Sequence, residues 1–506
     1  MSNNEWLPPQ AAVSEIEKHV LVDGFRIVID LKKSHGPYLI DEVTGRPLLD
    51  MYGFYGSLPI GFNHLYFEQA AVQQDLLEAA RTKVANADVY SRHYAAFVST
   101  FSRVVGLPPL ERYFFIEGGA MAVENALKAA MDWKVRKNLA AGHGERGTEI
   151  LHFERAFHGR SGYTLSLTNT DPRKTDYFAK FLWPRVSAPS INFSLPEPIR
   201  TADVQQREAR AEEQIVEIMK RKALDIAAII IEPIQGEGGD NHFRGDWLRT
   251  LRRLCDEFDV LLIFDEVQTG MGATGRNWCC EHFEVLPDLL AFGKKAQTCG
   301  VMAGPRLEEV PENCFRLPGR INSTWGGNLA DMVRSTHCLR IVEQEDLVGN
   351  AADVGSQFLG ELRELAETEP SITGVRGRGL LMAFDLPDRQ TREQFYQGLF
   401  DLGLLAIRSG ERSIRFRPVL DFPAEAIASA MEMIRKQCAR MGGGGKSPSS
   451  SVKSTMEDKK SRVGSSNGRG AKSGGRNGRG KVQSRRNVSE PDSVAPRPTC
   501  TTGSND

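Results

Sequence analysis

The sequence predicts an α/β fold, a mainly parallel sheet covered on both faces, followed by a smaller α+β domain. Three observations predict it. Between residues 112 and 295, short apolar runs alternate with helical patterns. Runs such as IAAIIIEP (226–233) and VLLIFDE (260–266) are aliphatic without polar alternation, as in strands buried on both faces. The ends of these runs carry charge: Glu232, Asp265 and the pair Lys294–Lys295. Parallel sheets place their ligands at that carboxyl edge.

The elements follow in order. RYFFIEGG (112–119) reads as a strand ending in a glycine turn. MAVENALKAAMDW (121–133) sets Val123, Ala126, Leu127, Ala130 and Met131 on one helical face. ILHFERAF (150–157) is a strand, EEQIVEIMKRKA (212–223) a helix and IAAIIIEP a strand. DWLRTLRRLCDEFD (246–259) is a helix, and VLLIFDE and LLAF (from 289) are strands. From about 330 the pattern changes to helices over 328–345 and 351–368, strands in GRGLLMAFDL and SIRFRPVL, and a helix over 424–440. The expected division is 1–70, an N-terminal segment packing with the small domain; 71–329, the large domain; 330–441, the small domain; and 442–506, a tail.

Composition excludes several classes. A chain of 506 residues, 41% hydrophobic and 25% charged, is ordinary for a soluble globular protein. The net charge of -1 hides an asymmetry: residues 442–506 hold 13 Lys/Arg against 5 Asp/Glu, +8, leaving -9 for the rest. That tail has no aromatic residue and repeats NGRG. Its composition predicts disorder; a solvated extension is the plain reading, with nucleic-acid binding the alternative its Arg/Gly content allows. The 8 cysteines include no C-x-x-C pair, which predicts free thiols and no metal site. The first residues lack the pattern of a signal peptide, and no apolar run approaches the ~20 residues that span a bilayer. A cytoplasmic protein without membrane contact is expected.

The strand-end charges define a chemistry. A buried carboxylate needs a cationic or hydrogen-bonding partner. A buried lysine has a lowered pKa and becomes a neutral nucleophile. Asp265 and Lys294 can simply pair with each other. Pyridoxal 5'-phosphate, however, uses both, a lysine for its aldehyde and an acid for its pyridine nitrogen. EGGAMAVENALK (117–128) adds a glycine turn at a helix start, where backbone N–H groups and the helix dipole bind phosphate. FERAFHGRSGYT (153–164) adds an aromatic, Phe157, able to stack on a flat ring, and Arg160, able to clamp a carboxylate. Alone, each of these is equally a turn, a core residue or a surface charge.

Together, EGGAMAVENALK, AFHGR, EPIQGEGG, FDEVQTGMGATG, FGKK, NSTWGGN and IRFRP resemble the class III, or ω-amino-acid, branch of the pyridoxal-phosphate aminotransferases. The resemblance implies a fold type I transferase with a seven-stranded sheet in the large domain. It implies that Lys294, the first lysine of FGKK, carries the cofactor, a choice the strand pattern leaves open, and that Lys295 faces solvent or a nearby acid. Asp265 then matches the pyridine-nitrogen carboxylate, Gln268 the residue near the phenolic oxygen, and Phe157 the stacking aromatic. Gly118, Gly119 and Ala120 match the phosphate-binding backbone; Gly118 and Ala120 stand where Ser and Thr are more usual, so backbone contacts must serve. Thr324 matches a threonine reaching the phosphate of a partner subunit, which implies a homodimer, and Asn322 lines the substrate pocket.

FERAFHGRSGYTLSLTNT, FGKKAQTCGVMAG and STWGGNLADMVR are most similar to the lysine-acting members. The implied reaction moves the ε-amino group of L-lysine to 2-oxoglutarate in ping-pong fashion, giving glutamate and a semialdehyde that cyclises. The alternatives are 4-aminobutyrate or ornithine as donor and, more remotely, an inactive scaffold acting through its tail. Arg160 is expected to hold the far carboxylate of each substrate. Arg415 and Arg417 share a strand face; the resemblance favours Arg415 for the near carboxylate of glutamate, with Glu237 as its counter-ion.

Overall fold

The computed structural model describes residues 6–442. The expected tail and its nucleic-acid reading lie outside the described residues, apart from Gly442 at a helix end.

The large sheet has seven strands: β1 (Arg112–Ile116), β2 (Glu149–Phe153), β3 (Arg185–Val186), β4 (Ile226–Ile231), β5 (Leu261–Asp265), β6 (Leu289–Phe292) and β7 (Cys299–Ala303). Their order is β1-β7-β6-β5-β4-β2-β3. Every pairing from β6 to β3 is parallel, while β7 runs antiparallel between β6 and β1. Strands β4, β5 and β6 are buried along their whole length, as their unbroken apolar runs require. Helix α1 (Gly119–Ala140) covers one face; α2 (Ile199–Lys222) and α3 (Gly245–Glu257) lie across the other.

Further along come α4 (Leu329–Gln344) and α5 (Leu347–Thr368). A four-stranded antiparallel sheet follows, of β8 (Thr373–Arg378), β9 (Leu381–Asp385), β10 (Ile407–Ser409) and β11 (Ser413–Phe416), in order β8-β9-β11-β10. Helices α6 (Arg389–Leu402) and α7 (Glu425–Gly442) pack behind it. Leu49, Met51 and Ile60 share the core of this region, and Pro47–Asp50 pairs with Leu404–Leu405.

Three elements differ from expectation for physical reasons. Strand β7 has a Gly in CGVMA and follows the lysine pair directly, so no separate apolar run announces it. Helix α2 starts at Ile199 rather than 212, because its first half is mostly polar and buries only Val204 and Ala211. The run ILHFERAF stops being strand at Phe153: Arg155 turns left-handed at φ 60, and the Phe157 N–H goes to Glu232 Oε1 at 2.9 Å instead of to a sheet neighbour.

Trp133 anchors α1. It is wholly buried, its indole N–H donates to the Arg306 carbonyl at 2.9 Å, and the Arg306 guanidinium lies 5.2 Å from the ring centroid. Trp133→Ala removes both the burial and the anchor. It should lower unfolding free energy by about 3–5 kcal/mol in a denaturant titration; a loss under about 1 kcal/mol would show that α1 is held otherwise.

Candidate active site

Strand register assembles the site. Ile231 pairs with Phe264 and Asp265 with Ala291, so Glu232, Asp265 and Lys294 emerge side by side at one edge of the sheet. Lys294 takes a left-handed conformation at φ 51, and its Nζ donates to the Tyr55 carbonyl at 3.2 Å. Burial first, then the charges of Arg415 and Arg417, bring the amine down to about 8 against the opposing pull of Asp265 and Glu232. A neutral nucleophilic amine is thus accessible near neutral pH.

At the acid end, the Asp265 carboxylate is buried and accepts from His158 Nδ1 at 2.8 Å and from the Val267 N–H at 3.1 Å. His158 Nε2 is buried with no partner among the described residues. Beside them, burial pushes Glu232 up to about 7. It accepts the Phe157 and Gly236 N–H groups at 2.9 and 3.0 Å, which fixes the Phe157 loop to the sheet edge.

The anion end is the start of α1. Gly118, its N-cap, has φ 91, and no side chain caps the helix. The first-turn N–H groups therefore keep their capacity for an external anion. A Cβ on Gly118 would meet nothing within 4 Å, so open space lies before the helix. The turn sits in the site: burial pushes the Cys299 thiol up, and the neighbouring backbone of Lys294 and Gly118 opposes that rise. Gly119 lies against Val267, and Ala120 against Gly159.

Two arginines close the site from β11 and the residue just beyond it. Arg417 is buried and paired with the wholly buried Asp240, and it also donates to Gln268 Oε1 at 3.2 Å. Burial alone would raise Asp240, but Arg417 and Arg415 hold it below the usual carboxylate range. Burial brings Arg417 down to about 10. Arg415 is less committed. Its Nη1 donates to Gln268 Oε1 at 2.8 Å, its Nε stands 3.9 Å from Asp240, and that Nε is buried without a hydrogen-bond partner among the described residues.

The structure thus gathers Lys294, Asp265, Gln268, Phe157, Gly118, Gly119, Ala120 and Arg415. It leaves Arg160, Asn322 and Thr324 exposed, and no hydrogen bond ties them to this cluster among the described residues. One expectation is narrowed and one is corrected. Lys295 does not face solvent: it is buried, with Asp50 and Asp421 nearby, and it donates to the carbonyls of Leu58 and Pro418 at 2.8 and 3.0 Å. Glu237 is not the counter-ion of Arg415 here. It accepts from Lys174 Nζ and, at 3.1 Å, from Thr170 Oγ1, a nearer pair of donors on the loop after Phe157. His158, Asp240 and Lys174 were not singled out from sequence. His158 lies inside the motif AFHGR, which carried the signal; Asp240 and Lys174 lie in polar loops that carried none.

These residues fit pyridoxal phosphate. An uncapped helix N-terminus opens on free space, a low-pKa lysine stands beside it, and a carboxylate oriented by a buried imidazole lies at the third corner.

Comparison with known proteins points the same way. Residues 22–438 match the family described as aminotransferase class-III, whose members use pyridoxal phosphate. The chain is 47% identical over 430 residues to the L-lysine-epsilon aminotransferase of Mycobacterium tuberculosis, covering 84% of this chain and 95% of that protein. It is 47% identical over 422 residues to the protein of the same name from Streptomyces clavuligerus, covering 83% and 92%. The mitochondrial 4-aminobutyrate aminotransferase of Sus scrofa is 31% identical over 412 residues, covering 77% and 81%. The solved lysine aminotransferase of M. tuberculosis superposes with a TM-score of 0.83 at 46% identity, covering 85% of this chain and 99% of that one.

The two lysines can be separated directly. Borohydride reduction of the loaded protein followed by peptide mass spectrometry should place the cofactor on Lys294. Lys294→Ala should abolish covalent retention, and Lys295→Met should keep it; label on residue 295 would reverse the assignment. Since only the neutral amine attacks an aldehyde, capture of the cofactor by cofactor-free protein should accelerate as pH rises through about 8 and then level off. A rate flat from pH 6 to 9 would show that the titration of Lys294 does not limit capture.

Proposed function

The chain belongs to the class III aminotransferase family, and from that premise we propose that it moves the ε-amino group of L-lysine to 2-oxoglutarate. The products are L-glutamate and 2-aminoadipate 6-semialdehyde, which cyclises. The observation that carries this reading is the Lys294 amine, held near neutrality between two carboxylates and two arginines at the sheet edge. The similarity to L-lysine-epsilon aminotransferases supports the choice of donor.

Pyridoxal phosphate, when bound, supplies an electron sink for the pair left behind as a proton leaves the carbon bearing nitrogen. The chain's residues do the rest. The first-turn N–H groups of α1 at Gly118, Gly119 and Ala120 would hold its phosphate. Asp265, oriented by the Nδ1–H of His158, would keep the ring nitrogen protonated. Phe157 would cover a ring face, and the Nε2 end of Gln268 would reach the phenolic oxygen, since its Oε1 is taken by Arg415 and Arg417. Lys294, once free, would take the proton from Cε of lysine and deliver it to the cofactor carbon on the far side of the shared nitrogen, and would run the same shift backwards to form glutamate. Arg160 would bind the far carboxylate of each substrate, and Arg415 the near carboxylate of glutamate.

We also propose a homodimer. Thr324 would reach a second copy's phosphate and Asn322 would line its pocket, in keeping with their exposure in a single chain. The division into a large domain, 71–329, and a small one, 330–441, with 1–70 packed on the latter, belongs to the same reading, as does a cytoplasmic location. Among the described residues no helix is long and apolar enough to cross a membrane.

A donor panel with 2-oxoglutarate tests the substrate. Lysine should give the highest kcat/KM, with the cyclised product scored directly, and 4-aminobutyrate and ornithine should trail it by about tenfold or more. A faster reaction with 4-aminobutyrate would replace the reading with that donor.

A further inference from the structure

Resting on Lys294 as the amine that carries the cofactor, we propose that Gln297 is a positioning residue for that amine. Its side chain binds the lysine loop to the turn whose Tyr55 carbonyl receives Lys294, and so fixes where the free amine stands.

The stretch 294–297 reaches the N-terminal segment with three side chains. Lys294 Nζ donates to the Tyr55 carbonyl at 3.2 Å, Lys295 Nζ to the Leu58 carbonyl at 2.8 Å and Gln297 Nε2 to the Ser57 carbonyl at 2.8 Å. One short loop between β6 and β7 thus grips the backbone of residues 55, 57 and 58.

Gln297 is left-handed at φ 60, an uncommon conformation for a residue with a side chain, and its contacts run in three directions. Its N–H donates to the Lys294 carbonyl at 2.8 Å, and its Nε2 reaches the same oxygen at 3.3 Å as well as the Ser57 carbonyl. Its Oε1 accepts from Arg334 Nε on α4 at 2.9 Å, and Arg334 is itself paired with Asp331. With a guanidinium on one side and two carbonyls on the other, the amide can face only one way.

Ser57 carries this grip into the turn. Its N–H donates to the Gly53 carbonyl at 2.8 Å and its Oγ to the Phe54 carbonyl at 2.9 Å. The residue that Gln297 holds is therefore the one that closes the turn around Tyr55. Of the three gripping side chains, Gln297 alone is uncharged. Replacing it leaves in place the groups that face Lys294: Arg415, Arg417, Asp265 and Glu232, the Cys299 thiol on β7 and the adjacent Lys295.

The effect reaches the amine through the carbonyl. A carbonyl acceptor favours the ammonium over the neutral amine, so the Tyr55 contact works against burial, and it also holds the nitrogen in one direction. A slack turn loses both. Lys294 then gives up its proton at lower pH but attacks less often from the productive direction. A residue that merely braced the loop would change unfolding and leave that titration where it is.

The full-length chain, stripped of cofactor, tests this by its rate of capturing pyridoxal phosphate between pH 6 and 9, read as label on Lys294 after a borohydride quench. Gln297→Met keeps the side-chain length and loses the amide. Its rate profile should have a midpoint about one pH unit below that of wild type, with a plateau about tenfold lower. Ser57→Ala loosens the same turn from its other side by removing the Oγ bond to Phe54, and should move the midpoint the same way by less. An unmoved or raised midpoint in folded Gln297→Met would overturn the proposal; if that variant does not fold, the same result in Ser57→Ala would do so. Label on Lys295 in the wild type would instead overturn the assignment of Lys294, and the proposal with it.

Discussion

The Asp240 carboxylate and the Arg417 guanidinium meet with almost no water around them. Removing either partner of such a pair leaves a buried charge uncompensated, at a cost of about 3–5 kcal/mol. The pair is also a junction. Asp240 closes the loop that follows Glu232, and Arg417 extends the strand bearing Arg415. The Arg417 N–H donates to Met51 at 2.8 Å, drawing in the N-terminal segment. Because Asp240 engages Arg417 closely and Arg415 only at 3.9 Å, two arginines of one strand face acquire different duties. One is structural, and the other keeps capacity for a ligand.

That division shows what sequence can and cannot reveal. The sheet was legible because β4, β5 and β6 are unbroken apolar runs with charges at their ends, and Lys294, Asp265 and the Gly118 turn stand at those ends. Which of Arg415 and Arg417 is free was not, since both alternate onto the same face and only the position of Asp240 separates them. The partner of Glu237 was illegible for a related reason. Lys174 lies 63 residues away in a polar loop, and nothing in local periodicity sets a loop cation against a particular carboxylate. Strand β7 was missed because a five-residue strand containing glycine looks locally like a turn.

Charge balance at the sheet edge also explains why two adjacent lysines diverge. Both lose water, and both are pushed down, to about 8 for Lys294 and about 7 for Lys295. Lys294 points toward the acids and the arginines and keeps a single carbonyl partner. Lys295 points the other way and is held by two carbonyls, near Asp50 and Asp421. Both are chemically able to be neutral amines, and access decides between them: only Lys294 opens toward the start of α1.

The Tyr55 carbonyl that receives Lys294 belongs to a turn in which Gly53, Phe54, Tyr55 and Gly56 all have positive φ. Such a run is strained for Phe and Tyr and persists only when its surroundings hold it. Those surroundings are the far end of the chain: a Cβ on Gly53 would lie 2.3 Å from the Arg417 carbonyl oxygen, and Lys295 ties Leu58 to Pro418. During synthesis, residues 53–56 leave the ribosome long before residue 417 is made. The wall over the reactive amine therefore has nothing to form against until nearly all of the folded body has been translated, so a nascent chain carries its complete lysine loop for more than a hundred codons before the pocket around it can close.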